Sequence, residues 1–352
     1  MKGFDISAYS YDLPKELIAS SPAEPRDSSR LFVYDTAREK ISFDTFKNLA
    51  NFLPEKSLLV LNDTKVIPAR IFLTKETGGK VEILFLMNEW REGNSFVKGM
   101  VDRKVEVGDR LHFDTKHFVE AVAQDAHVFL FKPNFNKEMF VRLLEEKGRT
   151  PVPKYIPDTK LDEWELRSRY QTVFAKAGAS IAAPTASLHF TKEVFRSLSE
   201  RHIEKRYVTL HVGQGTFAPV TDKNFEEKKI HREYFEIQKK MVEAIQKAKK
   251  EARACGAAGT STVRALESSA KTLFETPDEI DSSTDIFIFP PYQFQIVDYL
   301  ITNFHLPKSS LMLVVDAFLK DKKAKQSLSD LYKIAIQEKF RFYSFGDSML
   351  IL

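Results

Sequence analysis

Residues 64–133 hold six short runs rich in β-branched and aromatic residues: VIPARIFL, KVEILFLM, SFVKGMV, DRLHF, FVEAVAQ and AHVFLF. No helix-forming stretch interrupts them, and Gly, Asn or Asp separates them at spacings of about ten residues. Closely spaced strands of this kind must pair with one another, so the block predicts a small β-barrel. The pattern breaks at KPN, residues 132–134.

The chain on either side has another texture. Ahead of the block, the helix-like LPKELIAS precedes the strand-like RLFVYD and SLLVLND. Behind it, NKEMFVRLLEEKG has helical periodicity and a glycine stop, and TPVPKYIPDTK is a proline-punctuated connector. From there helices and strands alternate: TKEVFRSLSERH with KRYVTLHV, a long basic helix (KKIHREYFEIQKKMVEAIQKAKKEARA) with ACGAAGTS, TVRALESSAKT with DIFIF, and SSLMLVVDAFLK with two C-terminal elements. Alternation points to an α/β fold with a mixed or largely parallel sheet. The expected architecture is an α/β domain built from residues 1–63 and 134–352, with a six-stranded β-barrel inserted at 64–133.

Composition excludes several classes. A chain of 352 residues with 43% hydrophobic and 29% charged residues reads as globular. No apolar run approaches the roughly 18 residues that a membrane span needs. MKGFDISAYSYDLP contains no signal-type apolar segment, which predicts a cytoplasmic location and no membrane partner. Cys255 is the single cysteine, so an internal disulfide and a cysteine-cluster metal site are both excluded. The eight histidines form no i, i+4 ligand pair, and no bound metal is expected. A net charge of +4 permits a polyanionic partner without requiring one. Lys239, Lys240, Lys247, Lys249, Lys250 and Arg253 fit either a solvated helix face or phosphate contacts.

Ligands of α/β sheets bind beyond the carboxyl ends of strands, which directs attention to polar residues at strand ends. After YVTLHV, the sequence GQGTF places Gly213 and Gly215 where a backbone can approach closely, beside His211 and Thr216. AAGTSTVRALE carries Thr260, Ser261 and Thr262 into the first turn of a helix, where free N–H groups suit an anion. Ordinary capping explains those hydroxyls equally well. Arg264 and Glu267, three residues apart, fit an ion pair on one helix face. DYLITNFHLPKSSL ends a strand in Thr302, Asn303 and His305. An asparagine there can read donor and acceptor edges, and the histidine can move protons. SIAAPTASLHFT, residues 180–191, combines small residues with Thr185, His189 and Thr191, and fits a site rim or a packed turn around a buried histidine.

Taken together, these stretches resemble the S-adenosylmethionine:tRNA ribosyltransferase-isomerase family of queuosine biosynthesis. The resemblance is carried in order by YDLPKELIASSPAEPRDSSRL, LNDTKVIPARI, GGKVEILFL, YQTVFAKAGASIAAPTASLHFT, LHVGQGTFAPV, GTSTVRALE, VDYLITNFHLPKSSLMLVVDAF and FRFYSFGDSMLIL. It implies an α/β domain with an inserted barrel. It also implies transfer and isomerisation of the ribosyl group of S-adenosylmethionine onto 7-aminomethyl-7-deazaguanine at the wobble position of tRNA, giving epoxyqueuosine, adenine and methionine. S-adenosylmethionine is then a consumed cosubstrate, no cofactor is permanently bound, and the partner is tRNA carrying that base. A monomer is expected.

The resemblance also implies site residues. His189, His211, His231 and His305 are candidates for the proton transfers. Asp63, Arg70, Gln171, Thr172, Thr185, Gly213, Gly215, Thr260, Arg264 and Asn303 are candidates for substrate binding. Arg30, Lys228, Lys229 and Arg232 are candidates for contacts with tRNA phosphates. Four positions depart from the family pattern: Ser187 and Pro291 stand in place of usual glycines, Lys228 in place of a histidine, and Asp316 in place of a small residue. A tRNA-binding relative without turnover is therefore a competing reading. An ordinary methyltransferase is another, and the lack of a glycine-rich first strand-to-helix turn argues against it.

Overall fold

The computed structural model describes residues 4–90, 93–153, 155–156, 159–213 and 219–352. Nine strands form one mixed sheet in the spatial order Ile280–Ile286, Lys229–Ile237, Glu204–Leu210, Leu58–Asn62, Cys255–Ala258, Tyr299–Asn303, Ser348–Ile351, Arg30–Asp35, Lys40–Thr45. The four central strands, Glu204–Leu210 to Tyr299–Asn303, are parallel. Lys229–Ile237 and Ser348–Ile351 flank them in the opposite direction.

Leu58–Asn62 is buried throughout, as a central parallel strand covered on both faces must be. Its alternate residues divide between two cores. Leu58 and Val60 pack with Met241, Val242 and Ile245 of the helix Lys239–Lys250. Leu59 and Leu61 pack with Phe46, Phe190, Val194 and Leu198 on the other face.

The barrel closes through Val128–Pro133, Val97–Val101, Lys80–Phe85, Arg70–Lys75, Arg110–His112 and Phe118–Asp125, every pair antiparallel. Ile71, Leu73, Val81, Ile83, Val119 and Phe131 fill its interior at every second position. Phe140, on the helix Lys137–Lys147, meets Phe85 edge to face with ring centres 4.8 Å apart and seals the barrel.

Two elements differ from the sequence reading. VIPARIFL divides at Pro68, which has no N–H for a ladder: Thr64–Val66 pairs with Ala177–Ser180 outside the barrel, and only Arg70–Lys75 enters it. The long basic run is not one helix. Lys229–Ile237 is a strand that buries Glu233, Phe235 and Ile237 in alternation, and the helix begins only at Lys239.

Candidate functional site

The topology collects polar residues at one end of the sheet. The carboxyl ends of the parallel strands deliver Asn62, His211, Gly259 and Asn303, and the antiparallel neighbour Lys229–Ile237 enters at the same end with Glu233. Beyond these ends lies a narrow cleft of about 60 Å³ lined by Ala183, Pro184, Thr185, Glu233, Thr260, Ser261, Arg264, Thr302, Asn303 and His305, among others. Gly259, with φ +91°, makes the sharp entry into the helix Thr260–Ser268, a conformation that disfavours any side chain.

Charge in the cleft is concentrated in one buried pair. Arg264 donates through Nη1 to Glu233 Oε2, and through Nη2 to the carbonyls of His231 (3.2 Å) and Thr284 (3.4 Å). Glu233 Oε1 accepts the Gly213 N–H at 2.9 Å. The guanidinium Nε has no partner. Sequence spacing suggested Glu267 as the partner of Arg264. Glu267 instead accepts the backbone N–H groups of Gln295, Ile296 and Val297 at 2.9–3.0 Å. Its true partner, Glu233, comes from a distant strand and could have been found only by reading HREYFEI with period two.

His305 lines the same cleft. Its Nε2 lies 2.7 Å from Thr302 Oγ1, and its backbone N–H donates to Tyr332 Oη at 2.9 Å. Burial pushes its imidazole down to about 3, which keeps the ring neutral at physiological pH. Asn303 is 2% exposed and donates through Nδ2 to the Tyr343 carbonyl at 3.1 Å. Its Oδ1 is buried and has no hydrogen-bond partner among the described residues. A second lobe adjoins the first through Ala183, Thr185, Asn303, His305 and Leu311, and is walled by Tyr155, Tyr170, Phe304 and Tyr343.

The remaining candidates are placed elsewhere. His189 lies outside the cleft lining, buried against Phe46, with Nδ1 2.9 Å from Ser29 Oγ. Burial pushes the ring down to about 4. Thr191 Oγ1 ties this loop to the N-terminal segment by donating to Asp27 at 2.8 Å, while Arg26 of the same segment donates to the Ser168 carbonyl at 2.7 Å and to that of Gln171. The Gln171 amide is spent on the backbone of Val66, giving at 2.6 Å and accepting at 3.0 Å. Thr172 is buried, its hydroxyl without a partner. His211 Nδ1 lies 2.8 Å from Thr64 Oγ1, and Asp63 accepts the Thr209 hydroxyl at 2.6 Å, its carboxyl pushed up by burial. Arg70 opens the barrel, pairing its backbone with Arg149 and lying 3.9 Å from Glu82.

Gly213 does permit a close approach, but to a side chain: a Cβ there would stand 2.6 Å from Asn88 Nδ2. Gly215 lies outside the described residues. His231 and Arg232 line a second groove, together with Lys98, His127 and Tyr234, between the barrel and the sheet edge. Lys229 and Arg232 lie 3.4 and 3.6 Å from Asp285, and Lys228 caps the short helix Asp222–Glu227 in the left-handed region, φ 54°. Arg30 sits over Phe340, 3.9 Å from the ring centre, and donates to the Glu338 carbonyl at 2.5 Å.

The departures from the family pattern also have places. Ser187 is fully buried with an unpartnered hydroxyl. Asp316 accepts Tyr9 Oη at 2.6 Å and Lys320 Nζ at 2.9 Å. Pro291 follows Pro290 in a connection before Tyr299–Asn303. Among the described residues, no group of three or more His, Cys, Asp or Glu is arranged to hold a metal, and no helix is long and apolar enough to cross a membrane.

Comparison with known proteins adds an independent line. A family described as queuosine biosynthesis protein matches residues 6–351. The S-adenosylmethionine:tRNA ribosyltransferase-isomerase of Carboxydothermus hydrogenoformans is 45% identical over 349 residues, covering 99% of each chain. Its namesake from Thermotoga maritima is 40% identical over 350 residues, again covering 99% of each. A crystal structure of the S-adenosylmethionine tRNA ribosyltransferase of Thermotoga maritima matches 98% of this chain and 100% of its own, with TM-score 0.53 and 31% identity.

Proposed function

Since this chain belongs to the queuosine biosynthesis protein family, we propose that the cleft at the strand ends is where it transfers ribose from S-adenosylmethionine to tRNA. The chain is a transferase, an S-adenosylmethionine:tRNA ribosyltransferase-isomerase of queuosine biosynthesis. S-adenosylmethionine and tRNA are its substrates, and the finer reading is that the acceptor is 7-aminomethyl-7-deazaguanine at the wobble position.

The chemistry requires a proton to leave the ribose carbon beside the sulfonium, whose positive charge stabilises the carbanion. Adenine and methionine must then depart, with a hydrogen-bond donor assisting the adenine ring. One observation carries the assignment: of the four candidate histidines, His305 lines the cleft that also holds Thr185, Thr260, Arg264 and Asn303. Burial keeps its imidazole neutral at the working pH, so the ring has a free lone pair to offer a proton. His189 and His211 hold loops on this reading, and His231 with Arg232 faces the groove that tRNA phosphates would follow.

The test is chromatographic detection of free adenine after mixing the protein with S-adenosylmethionine and tRNA bearing the aminomethyl base. Adenine released only with that tRNA supports the reading. Retained tRNA binding without adenine would indicate a relative that recognises the substrate and does not transform it.

A further inference from the structure

The cleft has two chemically different lobes that meet at Asn303, His305, Thr185 and Leu311. One is polar, with the first turn of Thr260–Ser268 and the Arg264–Glu233 pair. The other is aromatic, walled by Tyr155, Tyr170, Phe304 and Tyr343, where Tyr155 and Tyr343 meet edge to face at 5.3 Å. S-adenosylmethionine is likewise divided, with a zwitterionic amino-acid end and a flat purine end.

Asn303 orients the match. The Tyr343 carbonyl can only accept, so the amide must turn its nitrogen toward it, at 3.1 Å. That leaves Oδ1 as a fixed acceptor, buried and without a partner, on a residue that lines both lobes. A buried acceptor left empty costs free energy, and the group that satisfies it must be a donor. The helix start next to it calls for the opposite kind of group. Its unpaired N–H groups and positive dipole end favour an anion, and Arg264 Nε is a further buried donor without a partner. An acceptor and a set of anion-seeking donors side by side fit an α-ammonium and an α-carboxylate on one carbon.

Resting on the function proposed above, we infer that the amino-acid end of S-adenosylmethionine sits in the polar lobe, its ammonium on Asn303 Oδ1 and its carboxylate at the start of Thr260–Ser268, with the purine in the aromatic lobe. His305 then lies at the junction, where the ribose must be.

The experiment uses two unreactive probes, S-adenosylhomocysteine and 5′-methylthioadenosine, which share the adenosine end and differ in the amino acid. Neither has the sulfonium charge that the reaction needs, so affinities can be measured by calorimetry on the full chain with tRNA present, independently of turnover. Wild type should bind S-adenosylhomocysteine at least about tenfold more tightly, as hydrogen bonds to charged groups predict. Asn303→Leu should remove most of that advantage and leave the affinity for methylthioadenosine within about twofold, which also reports an intact fold. Tyr155→Leu should weaken both probes together and keep the advantage. Equal affinity of wild type for the two probes would overturn the proposal by placing the amino acid outside the cleft. Loss of both probes in a folded Asn303→Leu would overturn it by putting the nucleoside on Asn303. Failure of the adenine assay alongside a preserved probe pattern would reject the catalytic reading and leave this orientation standing.

Discussion

Two buried histidines, His189 and His305, belong to stretches of similar texture, each a short polar sequence after small or apolar residues. Both are pushed far below the ordinary imidazole range by burial, and both have a hydroxyl on one ring nitrogen, Ser29 at 2.9 Å and Thr302 at 2.7 Å. Their surroundings separate them. His305 follows the carboxyl end of a parallel strand and faces the cleft, whereas His189 sits in a loop held by Asp27 and Ser29 and packs on Phe46. A perturbed histidine marks a site only when an open volume adjoins it. Burial alone produces the same shift in a structural ring.

The sharpest way to break this contrast is turnover. His305→Asn should lower kcat about 10²- to 10⁴-fold, the range for loss of a positioned proton-transfer group. His189→Asn should cost less than about tenfold in kcat and act chiefly on stability. The reverse order, measured by adenine release under saturating substrates, would move the catalytic assignment to the loop. The next effect is structural. Glu233→Gln takes the charge from a partner that is 2% exposed and leaves Arg264 buried and unpaired, so unfolding in denaturant should show a loss of about 3–5 kcal/mol. An unchanged midpoint would mean that the pair is solvated and cannot hold the floor of the cleft rigid.

The fold was legible in the sequence where a local period survives. The barrel strands and the central strands announce themselves by alternation or by apolar runs, and PPYQFQIVDYLITN ends in a strand because its apolar core has nowhere else to go. Less could be read where one segment changes period, as in KKIHREYFEIQKKMVEAI, where a strand passes into a helix within one lysine-rich run. The site was legible as a set of residue types and not as a set of contacts. Arg264 and Asn303 were visible just beyond strand ends, but Glu233 and Tyr343, which fix their orientation, come from a distant strand and from the segment before the last strand. The amide of Gln171, a substrate-binding candidate, bonds the Val66 backbone, a contact that no local pattern announces.

Acid titration sharpens the same comparison. For both histidines the folded-state value lies below the unfolded one of about 6.5, so the unfolded chain binds more protons between the two values and stability rises with pH there. Stability should therefore be complete above about pH 6.5 and fall as the pH drops towards about 4 for His189 and about 3 for His305. His189→Asn should flatten the loss between about pH 6.5 and 4 by up to about 3 kcal/mol, read as the pH dependence of the denaturation midpoint. An unaltered slope would show that the ring is hydrated and that its loop opens to water.

The smallest effect concerns Ser187, two residues before His189. Its hydroxyl is fully buried and has no partner, so the side chain gives up hydration and gains no hydrogen bond in return. Ser187→Ala removes that group while keeping the Cβ, and should stabilise the fold by about 1 kcal/mol with little change in kcat. Because the residue sits at the end of the short turn Thr185–Ser187 and Thr185 lines the cleft, the two readouts separate two roles. A gain in stability with unaltered turnover makes the serine an incidental cost of the clamped loop. A fall in adenine release without a gain in stability would mean that the hydroxyl finds its partner in bound substrate, and the loop around His189 would then belong to the site as fully as the strand end at His305.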